Sequence, residues 1–150
     1  MAQTLTRILV HTVFSTKDRR NLITPAVEPD LHAYLGGICH HLESPALAIG
    51  GTENHVHLLI RLSKNIAVSD SVMALKKDSS KWIKSCAHRV ARFYWQDGCG
   101  AFSIGQSQVA AVTNYIRRQK QRHKTMTFEQ EIVAFAKRYG VTYDLQYLLA

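Results

Sequence analysis

PALAIGGTENHVHLLIRL, running from Pro45 to Leu62, holds two apolar runs on either side of Gly50-Gly51-Thr52-Glu53-Asn54. Apolar strands joined by a short turn-rich segment form a hairpin. Side chains alternate along a strand, so Val56, Leu58 and Ile60 share one face while His55, His57 and Leu59 share the other. Both faces are apolar apart from the two imidazoles and Arg61 near the end, which marks a strand buried on both sides. Two histidines two residues apart stand about 6–7 Å apart at the Cα level, from a rise of roughly 3.3 Å per residue. They can converge on one divalent ion, or one can be a hydrogen-bonded core residue and the other exposed.

Outward from this hairpin the periodicities change. TRILVHTVFST (Thr6 to Thr16) is rich in β-branched and aromatic residues and reads as a first strand ending before KDRRN. Leu31, Tyr34, Leu35, Ile38 and Leu42 then recur at helical spacing, although Gly36-Gly37 weakens that helix. After the hairpin, Val68, Val72, Leu75, Trp82 and Ile83 form the stripe of a helix expected from Ala67 to about Val90, with Ser69 or Asp70 as its cap. A short strand is expected over Ala101 to Ile104. A helix capped by Ser107 follows, with Val109, Val112 and Ile116 on its apolar side, and a last one has Thr127 as cap, Gln130 in the capping-box position and Gly140 at its end. The order β-α-β-β-α-β with further C-terminal helices is that of an α+β, ferredoxin-like split βαβ antiparallel sheet.

The 150 residues, 46% apolar, suit a single domain spanning 1–150. The N-terminus lacks the segments of a secretion signal and no apolar run nears the roughly 18 residues of a membrane span, so the expectation is a cytoplasmic protein with no membrane partner. Three scattered cysteines suggest neither a disulfide framework nor a thiolate metal site. Nineteen Lys and Arg against eleven Asp and Glu leave a net charge of +8, concentrated in two segments. Lys76, Lys77, Lys81, Lys84, Arg89 and Arg92 share their run with one acid, Asp78; Arg117, Arg118, Lys120, Arg122 and Lys124 share theirs with none. Either run alone could be a solvated helix face, but both together favour a nucleic-acid partner.

Tyr115 and Gln119 are spaced i, i+4 on the late helix and so address one point in space. A phenol, with its ordinary pKa of about 10, attacks phosphorus only when its proton leaves or its attack is assisted. A divalent ion on the phosphate would assist it, and two imidazoles with a neutral amide oxygen suit a hard ion such as Mg²⁺ or Mn²⁺. Tyr115 could equally be a helix residue packed on the sheet.

VHTVFSTKDRR, NHVHLLIRL, LKKDSSKWIK, FYWQDGCGAFSIGQS and VTNYIRRQKQRH, in this order, resemble the single-tyrosine HUH transposases, the small transposases of insertion sequences that move as single-stranded DNA, with the REP-associated tyrosine transposases as relatives. The likeness runs from about Leu5 to Leu148. It implies that His55 and His57 bind the metal with Gln119, and that Tyr115 attacks a DNA phosphodiester to give a 5′-phosphotyrosine. It implies a homodimer, in which active sites can be shared between subunits, and partners that are single-stranded DNAs with hairpin ends. Lys76, Lys77, Lys81, Lys84, Arg117, Arg118 and Arg122 become candidates for phosphate contacts. Trp82, Phe93, Tyr94 and Trp95 could stack on bases, with Trp82 and Trp95 better read as core.

Three positions depart from the pattern. Asn54 replaces an acid before the first histidine, Cys99 an aromatic residue, and Arg122-His123 a histidine pair. These departures keep a second reading open, a domesticated or inactive relative that only binds DNA or RNA hairpins.

Overall fold

The computed structural model of the chain describes residues 2–86 and 90–150. Its strands are β1 (Ile8–Ser15), β2 (Ala46–Thr52), β3 (His55–Leu62) and β4 (Gly100–Ile104); its helices are α1 (Glu28–His41), α2 (Val68–Ile83), α3 (Val109–Arg117), α4 (Gln119–Arg122), α5 (Phe128–Arg138) and α6 (Leu145–Leu148). The strands lie in the order β2-β3-β1-β4 with every neighbouring pair antiparallel, as the split βαβ reading requires. No helix among the described residues is long and apolar enough to cross a membrane.

Alternation along the two central strands creates two cores. On one face Phe14, Val56, Leu58 and Ile60 pack with Leu31, Leu35 and Ile38 of α1 and Leu75 and Ile83 of α2. The opposite face carries two smaller clusters, Leu9, Ala48 and Leu59 under Ile116 of α3, and Val13 and Phe102 under Phe128, Ile132 and Phe135 of α5. The second face is also where His11, His55 and His57 emerge, all fully buried.

Several boundaries differ from the sequence expectation for local reasons. Strand β2 runs on through Gly50 and Gly51, leaving Glu53 and Asn54 to turn the hairpin. Gly50 is needed as a seat for α3, because a Cβ there would lie 2.2 Å from the Ile116 carbonyl oxygen. Helix α2 starts from Ala67 without a side-chain cap, so neither Ser69 nor Asp70 serves, and ends at Ile83, short of the expected Val90, which is not helical; residues 87–89 lie outside the described residues. A 3₁₀ turn over Gln106–Gln108 precedes α3, its start closed by Gly105 N donating to Gln108 Oε1 at 2.8 Å, and α3 itself has no side-chain cap, so Ser107 does not serve. At α5 the expected capping box is present: Gln130 N donates to Thr127 Oγ1 at 3.1 Å and Thr127 N to Gln130 Oε1 at 2.9 Å.

The aromatic residues divide between core and surface. Phe93 and Trp95 are buried, with Trp95 edge-on to Phe14 and its Nε1 donating to Ser79 Oγ at 2.9 Å. Trp82 is half-buried and stacks on Tyr34 at 4.8 Å, while Tyr94 is exposed under the Lys84 ammonium.

Because the obstacle at Gly50 is backbone and cannot rotate away, Gly50→Ala is expected to destabilise the fold by about 1–3 kcal/mol, towards the upper end. Urea unfolding measures this, and an unchanged midpoint would show that α3 does not press on β2.

Candidate metal and nucleophile site

Strand β3 begins at the hairpin, so its first histidine sits against the turn that supports it. The His55 Nδ1 lies 2.7 Å from Asn54 Oδ1 and 2.9 Å from Thr52 Oγ1. The amide oxygen can only accept, so Nδ1 carries the proton and the Nε2 lone pair faces inward. Asn54 thus does the orienting work of an acid at this position without its charge. His57 is held from behind in the same way, its Nδ1 lying 2.8 Å from Nε2 of His11, which points off β1 into the same core.

The two Nε2 atoms look toward groups brought in by the C-terminal helices. Gln119 Oε1 lies 3.0 Å from His55 Nε2. Glu131 Oε1, from α5, lies 2.9 Å from His57 Nε2, 3.1 Å from His123 Nε2 and 3.6 Å from His55 Nε2. Tyr115 donates its hydroxyl proton to the other oxygen of that carboxylate, Oε2. The Arg122 guanidinium lies over the Tyr115 ring, 4.6 Å from its centre. His55, His57, Gln119 and Glu131 are buried and Tyr115 half-buried. One side of the cluster, at His123, opens on a cleft of about 940 Å³ whose walls include Arg19, Lys120 and Lys124.

The donor atoms of His55, His57, His123 and Glu131 lie within 4.8 Å of one another and could hold a metal ion. Ligands about 2.1 Å from an octahedral ion, at right angles to one another, stand about 3.0 Å apart. The His57–Glu131, His55–Gln119 and His123–Glu131 separations match that edge. His123 Nε2 is also buried without a well-formed hydrogen bond, a ring nitrogen with spare capacity. The residues present therefore fit a divalent cation.

Environment sets the protonation of these groups. Burial, and after it the hydrogen bond to Glu131, pushes the Tyr115 phenol above its ordinary range, so it is protonated in this arrangement. Burial alone would raise the Glu131 carboxyl, but the adjacent His123 and His57 imidazoles hold it well below the usual carboxylate range. Burial, then the neighbouring charge of His57, lowers His55 to about 3, and the same two causes lower His11 to about 3.

Tyr115, Gln119, His55 and His57, expected to act together, are brought together, although the helix carrying the first two breaks at Arg118 (φ −101°, ψ 20°), whose N–H is shared between the carbonyls of Asn114 and Tyr115. The expected phosphate contacts are scattered. Helix α2 lies on one face of the sheet and α3 and α4 on the other, so the two basic runs do not join. Lys77, Lys81, Arg117, Arg118 and Arg122 are exposed and Lys84 half-buried. Lys76 is turned inward, donating to the carbonyls of Gln96 (2.8 Å), Asp97 (3.1 Å) and Gly98 (2.6 Å), which leaves no donor for a phosphate; Arg89 lies outside the described residues. Glu131 and His11 were not singled out from the sequence. The available signal was an acid amid the apolar stripe of Phe128, Ile132 and Phe135, since a buried acid needs a partner.

Residues 4–119 match the family described as "Transposase IS200 like". Two solved structures share the fold. One is a candidate transposase from Deinococcus radiodurans R1, with 20% identity over 77% of this chain and 93% of that one and a TM-score of 0.60. The other is a REP-associated tyrosine transposase bound to a REP hairpin, with 13% identity over 97% of this chain and 92% of that one and a TM-score of 0.61. No curated protein matches the chain.

The lowered imidazoles make stability depend on pH. An unfolded chain protonates these histidines near 6.5, whereas His11 and His55 in the fold resist until about 3, so between those values the unfolded state binds more protons. Stability is therefore expected to hold above about pH 6.5 and to fall as pH drops toward 3, with Glu131 adding to the loss below the ordinary carboxylate range. Urea midpoints at pH 7.5, 6.0 and 5.0 should decrease in that order. Equal midpoints at pH 7.5 and 5.0 would rule out two buried neutral imidazoles.

Proposed function

Since the chain belongs to the IS200-like transposase family, we propose that it cleaves and rejoins single-stranded DNA with Tyr115 as nucleophile. The observation that carries this reading is the meeting of the Tyr115 hydroxyl with His55, His57, Gln119 and Glu131 in one buried cluster. In the reaction the Tyr115 oxygen attacks phosphorus, the P–O3′ bond breaks, and the proton lost by the phenol is balanced by the one gained by the 3′-hydroxyl. The product is a 5′-phosphotyrosine, and attack on it by another 3′-hydroxyl reverses the bookkeeping of bonds and joins the strands without ATP.

His55, His57 and Gln119 would hold a divalent cation, Mg²⁺ or Mn²⁺, which would supply charge neutralisation and orientation of the phosphate. Asn54 and His11 keep the two imidazoles aimed at that point. Arg122, over the Tyr115 ring and exposed to solvent, is placed to favour an anionic substrate beside the phenol. Phe128 and Phe135 pack against His55 and His57, and the cluster meets solvent at His123, in a cleft lined by Arg19, Lys120 and Lys124 together with Asp18, Glu53 and Glu129. A homodimer that binds DNA hairpins and can share active sites between subunits completes the reading; the hairpin is suggested by the DNA carried by the REP-associated relative.

A binder without chemistry is the second reading, favoured by the burial of the site but without use for a tyrosine, two histidines and a glutamine in one cluster. A denaturing-gel assay with labelled single-stranded hairpin DNA from the flanks of the gene separates the two. Wild type with Mn²⁺ or Mg²⁺ should form a covalent adduct that Tyr115→Phe abolishes and His57→Ala reduces by about 10²-fold or more. A salt-sensitive shift without any adduct would leave only hairpin binding.

A further inference from the structure

Helix α5 begins after the last residue matched to the family, yet its Glu131 is the group that touches most of the cluster. We propose that Glu131 is a metal ligand and the positioning residue for the nucleophile, its Oε1 facing the ion and its Oε2 holding the Tyr115 hydroxyl. This rests on the metal reading above and adds to it an anionic ligand from the C-terminal helix, with His123 beside it.

Four observations support the assignment. Glu131 is 1% exposed, and a buried carboxylate is costly unless paired. Its ion-pair partners among the described residues are His55, His57 and His123, all of which present Nε2. A divalent cation between those nitrogens and Oε1 would supply the counter-charge. The separations of 2.9 and 3.1 Å from Oε1 to His57 and His123 are as short as a hydrogen bond and also match the edge between two ligands of one octahedral ion. Finally, His123 Nε2 is a buried nitrogen with no well-formed hydrogen bond, aimed at the same oxygen.

The two carboxylate oxygens then have separate tasks. With Oε1 fixed on the ion, Oε2 fixes the phenol at one distance and direction from it. Capping by Thr127 and Gln130 and the packing of Phe128, Ile132 and Phe135 hold this carboxylate in place. The alternative is that Glu131 only ties α5 over the histidines as a hydrogen-bonded plug.

Mn²⁺ binding to the full-length chain decides between them, read from the loss of the free-ion paramagnetic resonance signal and from the rise in Tm on adding the ion. Wild type should bind one ion. Glu131→Gln, nearly isosteric, should weaken Mn²⁺ binding by about 10- to 100-fold, the range typical of lost metal-site support, and shrink the metal-induced rise in Tm. Glu131→Asp should fall between the two, retaining the charge with a shorter reach, and its Tm in chelator checks that the fold survives. Adduct formation should follow the same order. If Glu131→Gln binds Mn²⁺ as tightly as wild type, and forms as much adduct or more, the carboxylate is a plug and the proposal fails while the metal reading stands. If His57→Ala also leaves Mn²⁺ binding unchanged, the metal reading fails with it.

Discussion

Alternation along β3 is the constraint from which the rest of the molecule follows. Val56, Leu58 and Ile60 face one way and build the larger core with α1 and α2, while His55, His57 and Leu59 face the other and meet α3 and α5. A shift of one residue in the β1–β3 register would turn both imidazoles into the aliphatic core and leave Val56 and Leu58 among polar groups. The pairing of Val13 with His57 and of Ser15 with His55 therefore fixes the fold and the site in one step.

Burial of polar groups has consequences on both sides of that sheet. The second face encloses three imidazoles, an amide, a carboxylate and a phenol in a low-dielectric pocket, and each is accounted for by a neighbour. The same burial that keeps His11 and His55 neutral leaves nitrogen lone pairs available, and it raises the phenol, which for that reason requires electrostatic help to act as a nucleophile. The candidate site and the stability of the fold thus depend on one set of side chains: removing a partner from such a network leaves a buried group unsatisfied.

The structure also separates basic residues that composition treats alike. Lys76 secures the carbonyls of the Gln96–Gly98 segment, Lys84 lies on Tyr94, and Arg122 covers the Tyr115 ring on the opposite side of the sheet. A net charge of +8 suggests a polyanionic partner, yet it does not say which cations face it.

From the sequence alone, local rules determined the succession of strands and helices along the chain, the two-sided burial of β3, the capping box at Thr127 and the pairing of Tyr115 with Gln119, because periodicity and capping act over a few residues. The family resemblance rested on the same short blocks. Only the tertiary structure decided that Gly50 belongs in a strand beneath Ile116, that Lys76 turns inward, and that Glu131, 74 residues from His57, closes the site. Those outcomes depend on how helices dock across a sheet, and contacts at such separations leave no periodic trace in the chain; the one local sign of Glu131 was an acid on an apolar helix face, which states that a partner exists without naming it.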